Sequence, residues 1–260
     1  MEKLWVVMPA YNEQECIPAV IEEWLPALRA VAESFTFCVI DDGSKDHTLR
    51  IVNELAERHP ELHVLSKGNS GHGQTCVFGY HYAATHGADW ILQIDSDGQC
   101  DPRFFAELWR SRQGVDAVYG YRVSRDDGTA RVAISRVVSL VTWLGTGTWV
   151  RDANVPYRLM RSGAILGILA WVPRDIHLAN VLVSALQVKH QPVRWIDIHF
   201  RQRRGGVASV ASYAFVKHGV KLLAQLWKAK AATTLTTNAR PPIASATSGR
   251  ERSSPQHSVL

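Results

Sequence analysis

Two aspartates separated by one residue, Asp95 and Asp97, follow a short apolar run, and Gln99 comes two residues later. A pair of carboxylates on a tight turn can share one divalent cation. Mg²⁺ and Mn²⁺ prefer such hard oxygen ligands and keep positions open for the phosphates of a substrate. Gln99 adds a neutral oxygen. Since Asp, Ser and Gly are also common in turns, the spacing alone is equally compatible with a metal site and with a capped turn.

Two further polar clusters follow apolar runs, PAYNE at 9–13 and DDGS at 41–44. In an open parallel sheet, ligands bind beyond the carboxyl ends of the strands. We therefore expect these clusters and the aspartate pair to line one edge of a sheet. The sequence has no GxGxxG after its first apolar run and no GxxxxGK[ST] loop, which disfavours a classical dinucleotide fold and a P-loop.

The elements that position these clusters alternate along the first half of the chain. Fully apolar strands between helices are typical of a parallel sheet covered by helices on both faces. Crossovers of this length favour right-handed βαβ units and thus an α/β fold. We predict strands at 4–8, 35–40, 63–65, 90–94 and 115–119, and helices at 18–33, 46–58, 72–86 and 102–112.

The second half is less regular. It favours helices at 131–150, 176–186 and 209–230, a strand or extended segment at 153–160, and a strand at 193–200. From residue 233 onward Ser, Thr, Pro and Ala dominate and no hydrophobic period remains, which predicts a disordered tail. The expected organisation is one domain over 1–232 and a tail over 233–260.

The motifs occur in the order found in family 2 glycosyltransferases of GT-A fold. They are PAYNE, DDGSKD, NSGHG at 69–73 and DSDGQ at 95–99. The chain is most similar to polyprenyl-phosphate sugar transferases such as dolichyl-phosphate mannose synthase, and the resemblance covers about residues 4 to 230. It extends to Tyr121-Arg122, to the stretch 152–159, and to Arg203-Arg-Gly-Gly206. The resemblance implies an inverting, metal-dependent transfer of a sugar from a nucleotide-diphosphate sugar.

The resemblance also implies a role for each matching residue. Arginines would meet the donor diphosphate or an acceptor phosphate, because a guanidinium forms bidentate pairs with phosphate. The implied nucleotide-sugar residues are Pro9, Tyr11, Glu13, Ile40, Asp42, Asp95, Arg122 and Arg203; the implied ligands of Mg²⁺ or Mn²⁺ are Asp95, Asp97 and Gln99.

Asp152 and Asp175 are the two candidates for a catalytic general base. A sugar hydroxyl acceptor needs a base because its proton must leave as the bond forms, whereas a phosphate acceptor is already ionised. Asp152 lies in the matching stretch. Asp175 could equally cap the helix predicted at 176–186.

We expect the acceptor to be a polyprenyl phosphate at the cytosolic membrane face, and a sugar or glycan hydroxyl is the alternative. The relatives usually continue their RxxG loop with Ser-Lys, whereas this chain has Ala208-Ser209. A catalytically silent scaffold homologue is a third interpretation. The charge of +5 is small and partly in the tail, which argues against nucleic-acid binding.

No apolar window reaches the roughly 18–20 residues that a membrane span requires, and the N-terminus lacks a signal-peptide pattern. Trp143, Trp149 and the lysine-rich segment 217–230 could rest on a membrane surface. Four separated cysteines without a CxxC pair predict neither disulfides nor a zinc site. We therefore expect a cytoplasmic protein, with possible peripheral contact at the inner membrane face.

Overall fold

The computed structural model describes residues 1–126, 129–173 and 178–205. Asp175, the helix predicted at 209–230 and the tail at 233–260 lie outside the described residues. In its first half the chain forms β1 (Leu4–Ala10), α1 (Ile17–Arg29), β2 (Phe35–Asp41), α2 (Thr48–Ala56), β3 (Leu62–Ser66), α3 (His72–Thr85) and β4 (Trp90–Gln93). A 3₁₀ turn (Pro102–Phe104), α4 (Phe105–Arg110), β5 (Ala117–Arg125), α5 (Thr129–Thr146), β6 (Arg158–Arg161), α6 (Ser162–Leu169), α7 (Ala179–His190) and β7 (Val193–Phe200) follow.

Within the described residues the strands form one seven-stranded sheet in the order β3-β2-β1-β4-β6-β5-β7. The neighbouring pairs of β1, β2, β3 and β4 are parallel, and so is the pair of β5 with β7. Strand β6 runs antiparallel to both β4 and β5. The prediction of a mostly parallel sheet in an α/β fold is confirmed, and β6 is its antiparallel exception.

The hydrophobic core lies between the sheet and its covering helices. All seven residues of β1 are buried, as a strand covered on both faces requires. Trp24 of α1 packs edge-on against Phe105 of α4 and Tyr157, which precedes β6. This contact joins helices from the first half of the chain to the second half, so one core supports the sheet edge where the polar clusters lie.

The sequence predictions were least accurate in the second half. Strand β5 continues to Arg125, six residues beyond its predicted end, because it pairs with β7 along that length. In the predicted extended segment 153–160 only β6 is a strand, and the helix predicted at 176–186 is α7, shifted toward the C-terminus. Helix α6 was not predicted, since its apolar run has no amphipathic period. No helix among the described residues has the length and apolar character needed to cross a membrane.

Helix α3 approaches the sheet closely at Gly79. A Cβ placed there would lie 2.4 Å from Val7 Cγ1 and 2.6 Å from Ile40 Cδ1, both in the buried strands β1 and β2. This close approach brings the N-terminus of α3 to the carboxyl edge of the sheet.

We predict that Gly79→Ala lowers the free energy of unfolding by about 1–3 kcal/mol, because the added methyl overpacks the core. Gly167→Ala in α6 is the matched control, since a Cβ there meets nothing within 4 Å. Its effect should range from none to a gain of up to about 1 kcal/mol from helix propensity. Urea denaturation measures both, and equal stability changes would contradict the close-packing account.

Candidate active site

The three polar clusters meet at the carboxyl edge of the sheet, as the sequence predicted. Strand β1 lies between β2 and β4, so the residues after these strands are neighbours. The backbone amide of Asn12 donates to Ser44 Oγ at 3.0 Å, which links the first cluster to the second. The Cys16 thiol donates to the backbone oxygen of Ser96 at 3.4 Å and links the first cluster to the aspartate turn.

Asp42 is buried, and its carboxylate holds the loop that leads into α3. The backbone amides of Ser70 and Gly71 donate to its two oxygens at 2.9 and 2.8 Å, and Lys67 forms an ion pair with it. Burial raises the pKa of Asp42, but Lys67 and the Ser70 amide more than offset this, so the pKa is lowered. The carboxylate that the resemblance assigns to the nucleotide therefore also anchors the loop 67–71. The sequence reasoning gave no role to Lys67.

The aspartate pair lies on the turn after β4. Asp97 Oδ1 accepts a hydrogen bond from the Gln99 backbone amide at 3.1 Å, and Asp95 Oδ1 lies 3.1 Å from His72 Nε2. Burial, and then the charge of Asp95, raise the pKa of Asp97 to about 6. Burial also raises the pKa of Asp95, but His72 and other neighbours lower it overall. The turn thus holds two carboxylates whose mutual repulsion a cation would relieve.

The donor set fits a hard divalent cation that shares its coordination with a substrate. Asp95 and Asp97 offer carboxylate oxygens, the ligands that Mg²⁺ and Mn²⁺ prefer. No group of three or more His, Cys, Asp or Glu side chains in the described part of the chain is arranged to hold a metal ion by itself. Phosphate oxygens of a bound substrate would have to complete the coordination. The Gln99 amide nitrogen donates to the Arg201 backbone oxygen at 3.0 Å, which ties this candidate ligand to the segment after β7.

Both arginines that the resemblance assigns to phosphate are paired with carboxylates. Arg122 Nε and Nη2 donate to the two oxygens of Asp152 at 2.6 Å each, and their side chains are only 7% and 6% exposed. Arg203 Nη2 donates to Glu13 Oε1 at 2.5 Å, and Arg203 Nη1 lies 3.9 Å from Asp97 Oδ2. In the structure, therefore, each arginine that was predicted to bind phosphate forms an ion pair with an acidic residue that was itself predicted to belong to the site.

The segment 201–205 lies across the aspartate turn. The backbone amide of Arg204 donates to the Asp97 backbone oxygen at 3.1 Å. Arg201 forms ion pairs with buried Asp101 and with Glu23 of α1, each at 2.6 Å. Asp101 caps the 3₁₀ turn, which begins where the helix at 102–112 was predicted to start. Its pairing with Arg201 was missed, because nothing in the sequence indicates which of the arginines in 201–204 reaches it.

The remaining predicted residues are also at or near this edge. Pro9 and Ile40 are buried close to the ends of β1 and β2, and the Tyr11 side chain is exposed. The side chain of Glu13 accepts hydrogen bonds from both Cys16 and Arg203. Asp175 lies outside the described residues, so its position is not part of this site description.

A model of the family "Glycosyl transferase family 2" matches residues 5–161 of the chain. This range contains the PAYNE, DDGS and DSDGQ clusters and covers more than half of the sequence. The chain belongs to glycosyl transferase family 2. The resemblance stated from the motifs is thereby confirmed for the family, whereas the roles of individual residues stay predictions.

The curated relatives are bacterial lipid-phosphate sugar transferases by name. The chain is 29% identical over 216 residues to the undecaprenyl-phosphate 4-deoxy-4-formamido-L-arabinose transferase of Pectobacterium carotovorum subsp. carotovorum, which covers 82% of this chain and 63% of the relative. The enzyme of the same name from Photorhabdus laumondii is 29% identical over 171 residues, 65% of this chain and 52% of that one. The chain thus spans less than two thirds of the length of these family 2 relatives.

Solved structures share the fold at low sequence identity. Glucosyl-3-phosphoglycerate synthase from Mycobacterium tuberculosis in complex with UDP has a TM-score of 0.61 at 19% identity, covering 88% of this chain and 80% of that one. S. aureus TarS 1-349 in complex with UDP-GlcNAc has a TM-score of 0.57 at 18% identity, covering 86% and 66%. These likenesses support the GT-A fold predicted for this family 2 chain.

The buried pair of Arg122 and Asp152 gives a stability prediction. We expect Asp152→Ala to lower the free energy of unfolding by about 3–5 kcal/mol, because it leaves a buried guanidinium unpaired. Glu54→Ala, which breaks the exposed pair with Arg50 on α2, is the control and should change stability by less than about 0.5 kcal/mol. Urea denaturation measures both, and equally small effects would show that the Arg122–Asp152 pair is not desolvated.

Proposed function

We propose that this family 2 protein is an inverting, metal-dependent glycosyltransferase that moves a sugar from a nucleotide-diphosphate sugar to a polyprenyl phosphate at a membrane surface. The observation that carries the proposal is the carboxyl edge of the sheet, where the Asp95–Asp97 turn lies beside Arg203 and Glu13. The names of the relatives support the acceptor, since they act on undecaprenyl phosphate. The matches to structures with bound UDP support the donor class.

The charged residues have complementary tasks in donor binding. A divalent cation on Asp95 and Asp97, with Gln99 as a further candidate ligand, would neutralise charge on the leaving diphosphate. The ion pair with Asp152 uses Arg122 Nε and Nη2 and holds the guanidinium in place. Nη1 is then the nitrogen that would donate to a phosphate oxygen. Arg203 would exchange its contact with Glu13 for the diphosphate. Pro9, Tyr11, Ile40 and the loop anchored by Asp42 would frame the nucleoside.

The pairing of Asp152 favours a phosphate acceptor over a hydroxyl acceptor. Both oxygens of this carboxylate accept hydrogen bonds from Arg122, so Asp152 is occupied in orienting a phosphate-binding arginine. A hydroxyl acceptor would require a free general base, whereas an ionised phosphate attacks the anomeric carbon without one. We therefore assign Asp152 a positioning role in place of the predicted role as base. Asp175 is the other predicted base and lies outside the described residues.

Helix α5 offers a surface for peripheral contact with a membrane. Its polar Ser139 and Thr142 are buried, whereas Val137, Trp143 and Leu144 are about half exposed or more. Val138 and Val141 of the same helix pack against the core, so α5 carries apolar side chains on its exposed side in addition to its buried one. Exposed apolar patches of this kind mark interaction surfaces, and Trp beside basic residues suits a lipid interface. A lipid-linked phosphate would be reached from such a surface.

The metal requirement gives a binding prediction. With Mn²⁺ present, calorimetry should show UDP binding to the wild-type chain, and chelation of the metal should weaken it at least tenfold. Asp97→Asn should weaken it comparably, because the isosteric amide removes one anionic ligand of a hard cation. Asp197→Asn, at an exposed position of β7, is the matched control and should leave binding unchanged. Unchanged affinity in Asp97→Asn would contradict the metal role.

The transfer itself is tested by product extraction. The chain is incubated with labelled nucleotide sugars, Mg²⁺ or Mn²⁺, and undecaprenyl phosphate in detergent. We expect label to pass into the organic phase only when the lipid phosphate is present, because the product is a sugar on a polyprenyl chain. Undecaprenol without phosphate is the control acceptor. Label that stays entirely aqueous, or that moves to added sugars, would favour the alternative of a hydroxyl acceptor.

The membrane contact is tested with vesicles. We expect the double variant Trp143→Ser with Leu144→Ser to lose most co-sedimentation with anionic phospholipid vesicles, because it removes apolar area that would enter the interface. Transfer to a short-chain, water-soluble polyprenyl phosphate should be retained. Phe78→Ser removes an exposed aromatic ring from α3 and is the control. Equal loss of vesicle binding in both variants would contradict docking through α5.

A further inference from the structure

A layer of buried polar side chains lies on one face of the sheet, behind the Asp95–Asp97 turn. Gln93 of β4, Arg158 of β6 and Tyr119 of β5 stand directly opposite one another in the strand register, so their side chains share a face. All three are fully buried. The Tyr80 hydroxyl of α3 donates to Gln93 Oε1, and the Tyr119 hydroxyl donates to Gln187 Oε1 of α7. The layer therefore connects the strand of the aspartate turn with two helices.

Arg158 is the charged member of this layer, and it lacks an acidic partner. Its Nε and Nη2 donate to the Val155 backbone oxygen, its Nη1 donates to the Asn180 backbone oxygen at 3.1 Å, and its guanidinium lies 4.7 Å from the centre of the Tyr119 ring. In the described ranges no carboxylate comes within ion-pair distance of it. A guanidinium stays charged when buried, and an unpaired buried charge is costly.

Arg158 stands beside the strand that leads into the proposed metal turn. Gln93 is the cross-strand neighbour of Arg158 and stands two residues before Asp95. The other arginines near this turn are neutralised by acids, Arg122 by Asp152 and Arg203 by Glu13. Arg158 therefore adds positive potential that no carboxylate among the described residues offsets through an ion pair.

We propose that Arg158 is a positioning residue that sets the charge balance of the Asp95–Asp97 turn, favouring an anionic diphosphate there and disfavouring a cation that arrives without one. The inference rests on the proposed function, because it assumes that the turn binds a metal and a nucleotide diphosphate. It has a specific consequence. When the charge of Arg158 is cancelled, the affinity for a cation and the affinity for an anion must change in opposite directions.

The test places an acid beside Arg158 with little change of shape. Asn180 is buried, its backbone oxygen accepts from Arg158 Nη1, and its side-chain Oδ1 has no hydrogen-bond partner among the described residues. Asn180→Asp is nearly isosteric and adds a negative charge to a buried residue that contacts Arg158. We expect the variant to bind Mn²⁺ alone several-fold more tightly, and UDP in saturating Mn²⁺ several-fold more weakly.

Two further variants make the result decisive. Asn53→Asp adds the same charge at an exposed position of α2 and should change neither affinity. Arg158→Gln removes the buried charge, so it should strengthen the binding of Mn²⁺ alone and weaken that of UDP in saturating Mn²⁺, as Asn180→Asp does. This variant carries the test if Asn180→Asp does not fold.

The outcomes separate this inference from the proposed function. Opposite shifts of Mn²⁺ and UDP affinity in Asn180→Asp or in Arg158→Gln support it. Parallel weakening of both ligands, or no change of either, in a folded Asn180→Asp variant shows that Arg158 is only structural and overturns it. Parallel weakening or unchanged affinities in a folded Arg158→Gln variant overturn it as well. A wild-type chain that binds neither ligand overturns the proposed function first.

Discussion

The meeting of opposite charges at the carboxyl edge of the sheet is the constraint on which the rest of the site depends. Strands β1, β2 and β4 bring Glu13, Asp42 and the Asp95–Asp97 turn together, and so many acids at one edge would repel one another. Basic residues offset this repulsion: Lys67 pairs with Asp42, and Arg203 pairs with Glu13. In the proposed function a diphosphate would take the place of Glu13 at Arg203, whereas Lys67 would stay paired with Asp42.

The first half of the fold could be predicted from the sequence because its signals are local. Apolar strands end at polar clusters, and the Asp101-Pro102 pair marks a turn start that the structure confirms. Strand β6 was harder to predict, because its antiparallel place in the sheet depends on pairing with β4 and β5, which are distant in sequence. Helix α6 was harder to predict because its residues are apolar throughout and show no amphipathic period. The ion pairs of Arg122 and Arg201 join residues far apart in sequence, and no local pattern encodes them.

The motifs predicted which residues lie at the site. They predicted less well which partner each of these residues contacts. Asp152 was predicted from its motif as a base, yet its oxygens are held by Arg122. Arg158 lies within the same motif and had no assigned role, although it is the charge buried behind the aspartate turn. Residue type and order establish family 2 membership, whereas the division between bases, anchors and phosphate ligands depends on three-dimensional pairing.

The acceptor claim is tested most directly by the rate of transfer to polyprenyl phosphate in the Asp152→Asn variant, with its melting temperature as the check on folding. Asparagine keeps one oxygen for Arg122 but cannot take up a proton. The account predicts a fall in kcat of less than about tenfold, because a general base, which contributes about 10²–10⁴-fold, is not required. A fall of more than about 10²-fold in a folded variant that still binds the donor as tightly as the wild-type chain, so that Arg122 is still in place, would contradict the account, because it is the loss expected when a true base is removed.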